Sequence, residues 1–558
     1  MSRAAKINFS GEDAVMDIPR MGLPDHLASR LSMAEQHDLL NRRRGHGRRS
    51  VLAGAAAVAG AAATVAVGAP ANAASATVWH QPAKVPGKLV VPYGRHLAWG
   101  ANPRTQVRVG WQVPHVVTKP FLRVGDSPWN LGHKIKAEIR ALHSEVPGAI
   151  APVDQFYVHA SIDDLLPGRT YFYAVGHDGF DPADLSTFGR VDSFTTAPSR
   201  RRVSESFTFT AFGDQGVSYH ALGNDGMVAA QNPVFHLHAG DLCYADSSGS
   251  GGPVSATGAN GTDVYDPRTW DQFLAQTEPI ASSVPWMASL GNHDMEALYS
   301  PNGYGGQLAR WDFPENGPVQ SEGVYSFIYG NVGVISLDPN DVSYEIPANH
   351  GYTGGAQTAW LDNRLKFLRS QPDVDFVVVF FHHCAYSTTN NHASEGGVRN
   401  QWVPLFDKYG VDLVINGHNH IYERADVLKG GVSKKTPIGS TVHTETDGTT
   451  YVTAGAAGRS LYSFPVPDSY AGHVNDLDSV PSYVWASGGT KVTETVTWSR
   501  VRYTGYSFLA VDVKPADEGR TTSLTLRAIT EAGDEIDRVV IARKAGGTSR
   551  ARLSDHIA

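Results

Sequence analysis

Residues 234–246 read Val-Phe-His-Leu-His-Ala-Gly-Asp-Leu-Cys-Tyr-Ala-Asp, a pattern that predicts the architecture of the domain around it. A short apolar run that favours a β-strand ends at Gly240, and Asp241 and Tyr244, which can bind a metal, follow at once. Four other segments have the same design, an apolar run followed by a polar cluster: 207–212 before Gly213-Asp214-Gln215-Gly216, 284–290 before Gly291-Asn292-His293-Asp294, 376–381 before His382-His383, and 411–415 before Asn416-Gly417-His418-Asn419-His420.

The five polar clusters are expected to meet in one crevice. In an open α/β sheet the site lies beyond the carboxyl ends of the strands, and glycines at those ends permit tight turns. Each cluster alone is a weak signal, because Gly-Asp after a strand is usually a turn and a lone histidine there is usually an ordinary polar residue. Five clusters in this order indicate a metal site in a layered α/β domain.

A separate β-sandwich is predicted to precede that domain, at residues 74–200. Residues 105–111, 170–175 and 191–195 alternate polar and apolar side chains, as half-buried strands do. Residues 166–175 resemble the turn and strand of a fibronectin type III domain, although a sandwich of another topology would fit as well.

The α/β domain is predicted to occupy residues 201–545, followed by a tail at 546–558. Residues 359–369 favour a helix, because Trp360, Leu361, Leu365 and Leu368 recur with helical spacing. Residues 451–543 return to strand-like patterns and are predicted to complete the second of two sheets.

Residues 1–73 are predicted to be an export signal. Arginines at 42–44 and the pair Arg48-Arg49 precede an apolar run at 51–69, and Ala71-Asn72-Ala73 offers small residues for cleavage. Arg48-Arg49 and its surroundings resemble the twin-arginine signal of bacteria. An uncleaved anchor is the alternative, but alanine and glycine make this run only weakly hydrophobic. We therefore expect a secreted mature protein with no membrane span.

Net charge and cysteine content exclude two further possibilities, nucleic-acid binding by charge and a disulfide framework. The chain has 47 basic and 55 acidic residues, a formal net charge of −8, which argues against nucleic-acid binding through backbone phosphates. Cys243 and Cys384 are too few for a disulfide framework, and two buried thiols or a single disulfide are both possible.

The five clusters, in their order, resemble the metallophosphoesterase (calcineurin-like) superfamily, and specifically its purple acid phosphatase branch. General members have Asp-x-His at the first cluster, whereas this chain has Asp214-Gln215-Gly216. Tyr244, in Gly240-Asp241-Leu242-Cys243-Tyr244, takes the place of that histidine, an exchange that distinguishes the branch. The resemblance implies a fibronectin type III-like sandwich followed by a four-layer α/β/β/α domain.

The resemblance also implies a dinuclear metal centre with seven ligands. One metal would be bound by Asp214, Asp241, Tyr244 and His420, and the second by Asp241, Asn292, His382 and His418, with Asp241 as the bridge. Tyrosinate and carboxylate suit Fe(III), while imidazole and amide oxygen suit Zn, Mn or Fe(II).

The family chemistry implied is hydrolysis of small phosphate esters by a metal-bound hydroxide. His293 matches a histidine that contacts phosphate, although a role in orienting a ligand has equal weight. His392 matches the family's proton donor to the leaving group, while Asn391 stands where plant members have another histidine. His383 matches no family role and is expected to pack against the site.

Three functions fit these observations. The first is an acid phosphatase acting on phosphate monoesters, and the second is a phosphodiesterase or nucleotidase with the same centre. The Gly- and Ser-rich insertion at 247–263 could shape such specificity or be a loop without a role. The third is a cell-wall binding protein with a relict site, which the complete set of ligands disfavours.

Replacing Arg48 and Arg49 by lysines is expected to retain the precursor in the cytoplasm, because the export receptor reads the arginine pair. Immunoblots of cell fractions would measure this, and sequencing the N-terminus of the secreted wild type should give Ala74. Normal secretion of the double-lysine variant would contradict the twin-arginine prediction.

Overall fold

The computed structural model describes residues 85–149, 151–184, 189–199, 205–318, 321–516 and 519–545. The predicted export signal at 1–73 and the predicted tail at 546–558 lie outside these ranges. Across the described residues, no helix has both the length and the apolar character needed to cross a membrane.

The first described unit is a β-sandwich, as predicted. Two four-stranded antiparallel sheets have the orders β1-β2-β6-β5 and β4-β3-β7-β8. The strands are β1 Tyr93–Trp99, β2 Val107–Val113, β3 Phe121–Gly125, β4 His133–Lys136, β5 Glu138–Ser144, β6 Val153–Ile162, β7 Thr170–Gly176 and β8 Asp192–Thr195. Four large aromatic side chains of the sandwich are fully buried: Trp99, Trp111, Tyr157 and Tyr173. Aromatic side chains of this size supply much of the buried apolar area of a small domain.

Two seven-stranded mixed sheets form the centre of the second unit. Their orders are β13-β10-β9-β27-β28-β29-β22 and β14-β15-β16-β18-β23-β19-β26, and three small sheets, β11-β12, β17-β24-β25 and β20-β21, lie outside them. The strands are β9 Phe207–Phe212, β10 His236–Ala239, β11 Val254–Ser255, β12 Asp263–Val264, β13 Trp286–Ser289, β14 Tyr325–Tyr329, β15 Val332–Ser336, β16 Phe376–Phe380, β17 Ser394–Glu395, β18 Leu413–Asn416, β19 Tyr422–Ala425, β20 Val427–Lys429, β21 Val432–Lys434, β22 Thr441–Val442, β23 Thr450–Ala454, β24 Val480–Ala486, β25 Thr490–Val496, β26 Ser499–Tyr503, β27 Ser507–Lys514, β28 Thr521–Thr530 and β29 Glu535–Lys544.

The helices of this unit are α1 Tyr219–Ala230, α2 Thr269–Ala281, α3 Gly305–Arg310, α4 Ala356–Ser370, α5 Gly396–Gln401, α6 Val403–Tyr409 and α7 Thr444–Asp447. Helix α1 contacts β27 of the first large sheet and α4 contacts β16 of the second, whereas α2 and α3 contact β1 and β5 of the sandwich. The predicted helix at 359–369 is confirmed as α4, which buries Leu361, Leu365 and Leu368. The rings of Phe235, beside β10 of the first sheet, and Phe327, in β14 of the second, meet edge to face with their centroids 5.4 Å apart. The two sheets therefore pack face to face.

The strands at 451–543 divide among the two large sheets and the small β17-β24-β25 sheet, so the prediction that they complete the second sheet is only partly right. β23 and β26 belong to the second sheet, whereas β27, β28 and β29 extend the first, with β27 antiparallel to β9. The physical reason is that β9 is buried on both faces and needs a neighbour on each edge. Periodicity reveals a strand but not its partner.

A buried arginine of the α/β domain, Arg310, contacts the sandwich. Arg310 Nη1 lies 2.7 Å from Glu296 Oε2, and both side chains are fully buried. The guanidinium lies 4.2 Å from the Trp270 ring, and its Nε donates to the hydroxyl of Tyr157 in β6 at 3.2 Å. Removing one partner of such a pair leaves an unpaired buried charge and costs about 3–5 kcal/mol, so Glu296 holds Arg310 in place beside Tyr157.

Candidate metal centre

All five polar clusters meet at the carboxyl ends of neighbouring strands, as predicted. β9, β10 and β13 are adjacent and parallel in the first sheet, and they deliver Asp214, Asp241 and Asn292. β16 and β18 are adjacent and parallel in the second sheet, and they deliver His382 and the pair His418 and His420. Face-to-face packing of the sheets brings the two groups of side chains together.

The loops that carry these side chains have a strained backbone. Four of the seven predicted ligands have φ angles in the left-handed region: Asp214 (61°), Asp241 (52°), Tyr244 (58°) and His418 (67°). This conformation costs a residue other than glycine about 1–3 kcal/mol and concentrates at functional sites. A buried carboxylate, Asp294, holds part of the arrangement by accepting hydrogen bonds from the backbone N–H groups of Asp241 (2.9 Å) and Gly291 (2.8 Å).

The first group of ligand atoms comprises an oxygen of Asp214, the phenol of Tyr244 and Nε2 of His420. Tyr244 Oη lies 3.0 Å from both Asp214 Oδ1 and His420 Nε2, and the last two atoms are 3.3 Å apart. His420 Nδ1 donates to the carbonyl oxygen of Ser460 at 2.7 Å, which leaves Nε2 free to bind a metal. All three side chains are buried.

The second group comprises Asp241, His382, His418 and Asn292. His382 Nε2 lies 3.0 Å from Asp241 Oδ2 and 3.2 Å from His418 Nδ1, while its Nδ1 donates to the carbonyl oxygen of Ala239 at 2.8 Å. Asn292 Nδ2 donates to the carbonyl of Gly249, and its buried Oδ1 has no hydrogen-bond partner among the described residues. This oxygen is therefore free to bind a metal beside the imidazoles of His382 and His418.

The two groups adjoin each other through Asp214 and His382, whose Oδ1 and Nε2 atoms are 3.9 Å apart. Asp241 Oδ1 accepts a hydrogen bond from the N–H of His293 at 2.9 Å, which leaves Oδ2 facing the second group. The donors fit a dinuclear centre: hard carboxylate and phenol oxygens predominate on one side, and imidazole nitrogens with an amide oxygen predominate on the other.

Electrostatics in the site favour cations. Burial would lower the pKa of His382, but the carboxylates of Asp241 and Asp214 outweigh it and raise that pKa to about 9. Burial raises the pKa of Tyr244 well above its usual 10, and the same two carboxylates raise it further. The phenol therefore keeps its proton and donates it to Asp214 unless a cation replaces that proton.

The two histidines expected to act on the substrate both lie beside the ligand groups. His293 Nδ1 donates to the carbonyl oxygen of Asp246 at 2.6 Å, and its Nε2 lies 3.8 Å from Asp241 Oδ2. Burial lowers the pKa of His293 to about 4. The ring of His392 packs against that of His418, with centroids 4.1 Å apart, and 26% of its side chain is exposed.

Four residues of these motifs, His383, Asn391, Cys243 and Cys384, lie near the site but outside the two ligand groups. His383 is fully buried with its ring 4.3 Å from that of His418, and neither ring nitrogen has a hydrogen-bond partner among the described residues. The carbonyl oxygen of Asn391 accepts a hydrogen bond from the hydroxyl of Tyr483. Cys243 and Cys384 are both free and buried, and burial raises the pKa of each thiol, so they are inert.

The insertion at 247–263 covers part of the site. The carboxylate of Asp246 accepts from the N–H groups of Ser248 and Gly249, and that of Asp263 accepts from those of Ser250 and Gly252. These bonds hold the carbonyl of Gly249 against Asn292. The insertion therefore fixes one predicted ligand.

Two charged residues at the site were not predicted. Glu345 contacts His392 and His418, and it comes from a loop without a strand-end pattern, so the sequence offered no signal. The Cζ of Arg459 lies 4.5 Å from the ring centroid of Tyr244, and its backbone N–H donates to the carbonyl oxygen of Asp214 at 3.1 Å. Its guanidinium makes no hydrogen bond or ion pair with the described residues. It follows β23 and a glycine-containing loop, a pattern that could have identified it.

Comparison with known proteins agrees with this architecture. Residues 92–196 match the family described as purple acid phosphatase, N-terminal domain, and residues 207–422 match the calcineurin-like phosphoesterases. An uncharacterized protein of Mycobacterium tuberculosis is 33% identical over 477 residues, covering 78% of this chain and 84% of that protein. Purple acid phosphatase 18 of Arabidopsis thaliana is 26% identical over 361 residues, covering 64% of this chain and 71% of that protein.

Among solved structures, the purple acid phosphatase PPD1 from yellow lupin seeds shares the fold, with a TM-score of 0.60 at 20% identity over 82% of this chain and 75% of that one. Fold and site together define a metal-dependent phosphoester hydrolase. The chain belongs to the purple acid phosphatase branch of the calcineurin-like phosphoesterase family.

Asn292→Ala is expected to weaken binding of one of two metals by at least ~10–100-fold, the usual cost of losing even an outer partner of a metal ligand. Elemental analysis after dialysis would measure the metal content per chain. Asn331→Ala is the matched control, because Asn331 is also buried with an unpaired Oδ1 but lies away from the site. Full metal content in Asn292→Ala would remove Asn292 from the ligand set.

Proposed function

We propose that this protein is an exported acid phosphatase that hydrolyses phosphate monoesters at a dinuclear metal centre. The observation that carries the proposal is the pair of adjoining, buried donor groups. We assign Asp214, Tyr244 and His420 to one metal, Asn292, His382 and His418 to the other, and Asp241 to both. The unpaired Oδ1 of Asn292 and the strained backbone at four of these residues support the assignment.

When bound, two metal ions would acidify water and neutralise charge on the phosphate oxygens. Two histidines of the protein would contact the phosphate and protonate the leaving group. His293, with its Nδ1 held by a backbone carbonyl, presents Nε2 to the phosphate. His392, more exposed than the ligands, is placed to protonate the leaving oxygen.

The preference for a monoester follows from charge. A monoester carries up to two negative charges on its phosphate, and a diester carries one. Arg459 brings a fixed positive charge beside Tyr244 that no described carboxylate neutralises by an ion pair. A dianionic phosphate gains more from such a charge in a partly buried site than a monoanionic one does.

Rates on 4-nitrophenyl phosphate and bis(4-nitrophenyl) phosphate would test the substrate class. We expect kcat/KM for the monoester to exceed that for the diester by at least ~10-fold in mildly acidic buffer, a difference of about 1.4 kcal/mol in transition-state stabilisation. Arg459→Met should shrink this ratio, because it removes charge while keeping an apolar side chain over Tyr244. A higher rate on the diester would favour the phosphodiesterase or nucleotidase alternative.

We assign Fe(III) to the group that contains Tyr244, and Zn, Mn or Fe(II) to the other. Support comes from the donor chemistry, because a buried phenol between carboxylates loses its proton only to a strongly acidic cation. Export by the twin-arginine route suits this assignment, since that route is expected to carry folded proteins with metals in place. Association with the cell wall stays a prediction.

Tyr244→Phe is expected to abolish a visible tyrosinate-to-iron charge-transfer band and leave a colourless protein. Absorption spectroscopy of the purified protein would measure the band. Tyr462→Phe is the matched control: the Tyr462 ring stacks on His420 at 4.0 Å, but its hydroxyl faces His392 rather than the ligand group, so the colour should persist. A colourless, active wild type with only zinc or manganese would refute the iron assignment alone.

A further inference from the structure

One carboxylate joins a predicted metal ligand to the predicted proton donor. Glu345 Oε1 lies 2.6 Å from His392 Nδ1, and its Oε2 lies 3.0 Å from His418 Nε2. Only 8% of the Glu345 side chain is exposed. An ionised carboxylate can only accept hydrogen bonds, so both imidazoles donate to it.

We propose that Glu345 is a positioning residue that fixes the tautomers of His418 and His392 together; this inference rests on the proposed function. His418 gives its Nε2–H to Glu345, so its Nδ1, which faces His382, is the nitrogen that binds a metal. His392 gives its Nδ1–H to the same carboxylate, so its Nε2 faces the hydroxyl of Tyr462 at 3.2 Å and the open side of the site.

The loop that carries Glu345 is itself held by a second carboxylate. Glu395 accepts hydrogen bonds from the N–H groups of Tyr344 (2.9 Å) and Glu345 (3.2 Å) and from the hydroxyl of Ser343 (3.0 Å). Glu395 lies in β17, beside the β24–β25 hairpin. Such support keeps Glu345 in place before substrate arrives, which is what a precise proton donor requires.

The step that depends on this arrangement is departure of the leaving group. A water molecule that has given one proton to the solvent forms a bond from its oxygen to phosphorus, and the ester P–O bond breaks with its electron pair on the departing oxygen. His392 Nε2 supplies the proton that converts this oxygen into an alcohol. The Nδ1–H stays with Glu345, which holds Nε2 toward the departing oxygen, and Nε2 then regains a proton from the solvent.

The same three residues could in principle surround a third metal ion, because their ligand atoms all lie within 4.8 Å of one another. His418 would then have to bind metals through both nitrogens and lose both ring protons. The separations of 2.6 and 3.0 Å are those of hydrogen bonds, which need no such deprotonation. Metal content distinguishes the two arrangements.

The experiment compares wild type and Glu345→Gln, each loaded with metals, across a series of monoesters from nitrophenyl to alkyl phosphates. The two imidazoles donate to different oxygens of Glu345, and in glutamine one of these positions becomes an NH2 group that cannot accept, so one imidazole loses its acceptor. We expect kcat for alkyl phosphates to fall ~10–100-fold, with a much smaller loss for nitrophenyl phosphate, whose leaving group needs no proton. KM should change little, and elemental analysis should still give two metals per chain.

A double variant tests whether Glu345 acts through His392. His392→Ala should steepen the leaving-group dependence by itself, and adding Glu345→Gln should steepen it no further, because the coupled step is already lost. Glu494→Gln is the matched control: it removes a carboxylate from the neighbouring hairpin, where Glu494 pairs with Arg399, and should leave the dependence unchanged.

Two results would overturn the inference while the proposed function stands: equal losses of kcat across the series in Glu345→Gln, or three metals in wild type and two in the variant. A wild type that does not hydrolyse monoesters at all would instead refute the proposed function.

Discussion

The structure is built around two buried aspartates, Asp214 and Asp241, that face imidazoles, a phenol and an amide across a few ångströms. Burying such carboxylates is unfavourable unless positive charge compensates them. In the protein alone, the raised pKa of His382 shows the compensation that is available: a protonated imidazole between the two carboxylates. Metal ions would supply far more positive charge at the same place, and the donors that surround it are those that metals bind.

The strands, turns and supporting hydrogen bonds of the fold position these side chains. Two blocks of parallel strands, one in each sheet, end at the same place, and left-handed turns at four ligands aim the side chains inward. Asp294 accepts a hydrogen bond from the backbone N–H of Asp241, and the carbonyl of Gly249 in the insertion at 247–263 accepts one from the Asn292 side chain. Glu296 pairs with Arg310, which donates a hydrogen bond to Tyr157 of the sandwich. The left-handed backbone at the ligands lowers the stability of the folded chain, and these contacts offset that cost.

Much of this was predictable because strand-end motifs obey local rules. An apolar run followed by a polar cluster predicted β9, β10, β13, β16 and β18 to within about two residues, and the family resemblance supplied the seven ligands proposed at their ends. Glu345 was not predictable, because its loop meets the site only through the tertiary fold. The placement of β27 beside β9 was missed for a related reason, since strand pairing depends on surfaces that are not adjacent in sequence.

The central claim is that two metals occupy the adjoining donor groups and that Asp241 contacts both. Anomalous diffraction from crystals of the purified, metal-loaded protein would test it most directly. The account predicts two peaks, one among Asp214, Tyr244 and His420 and one among Asn292, His382 and His418, with Asp241 between them. A single peak, or a peak between Glu345 and His392, would contradict it.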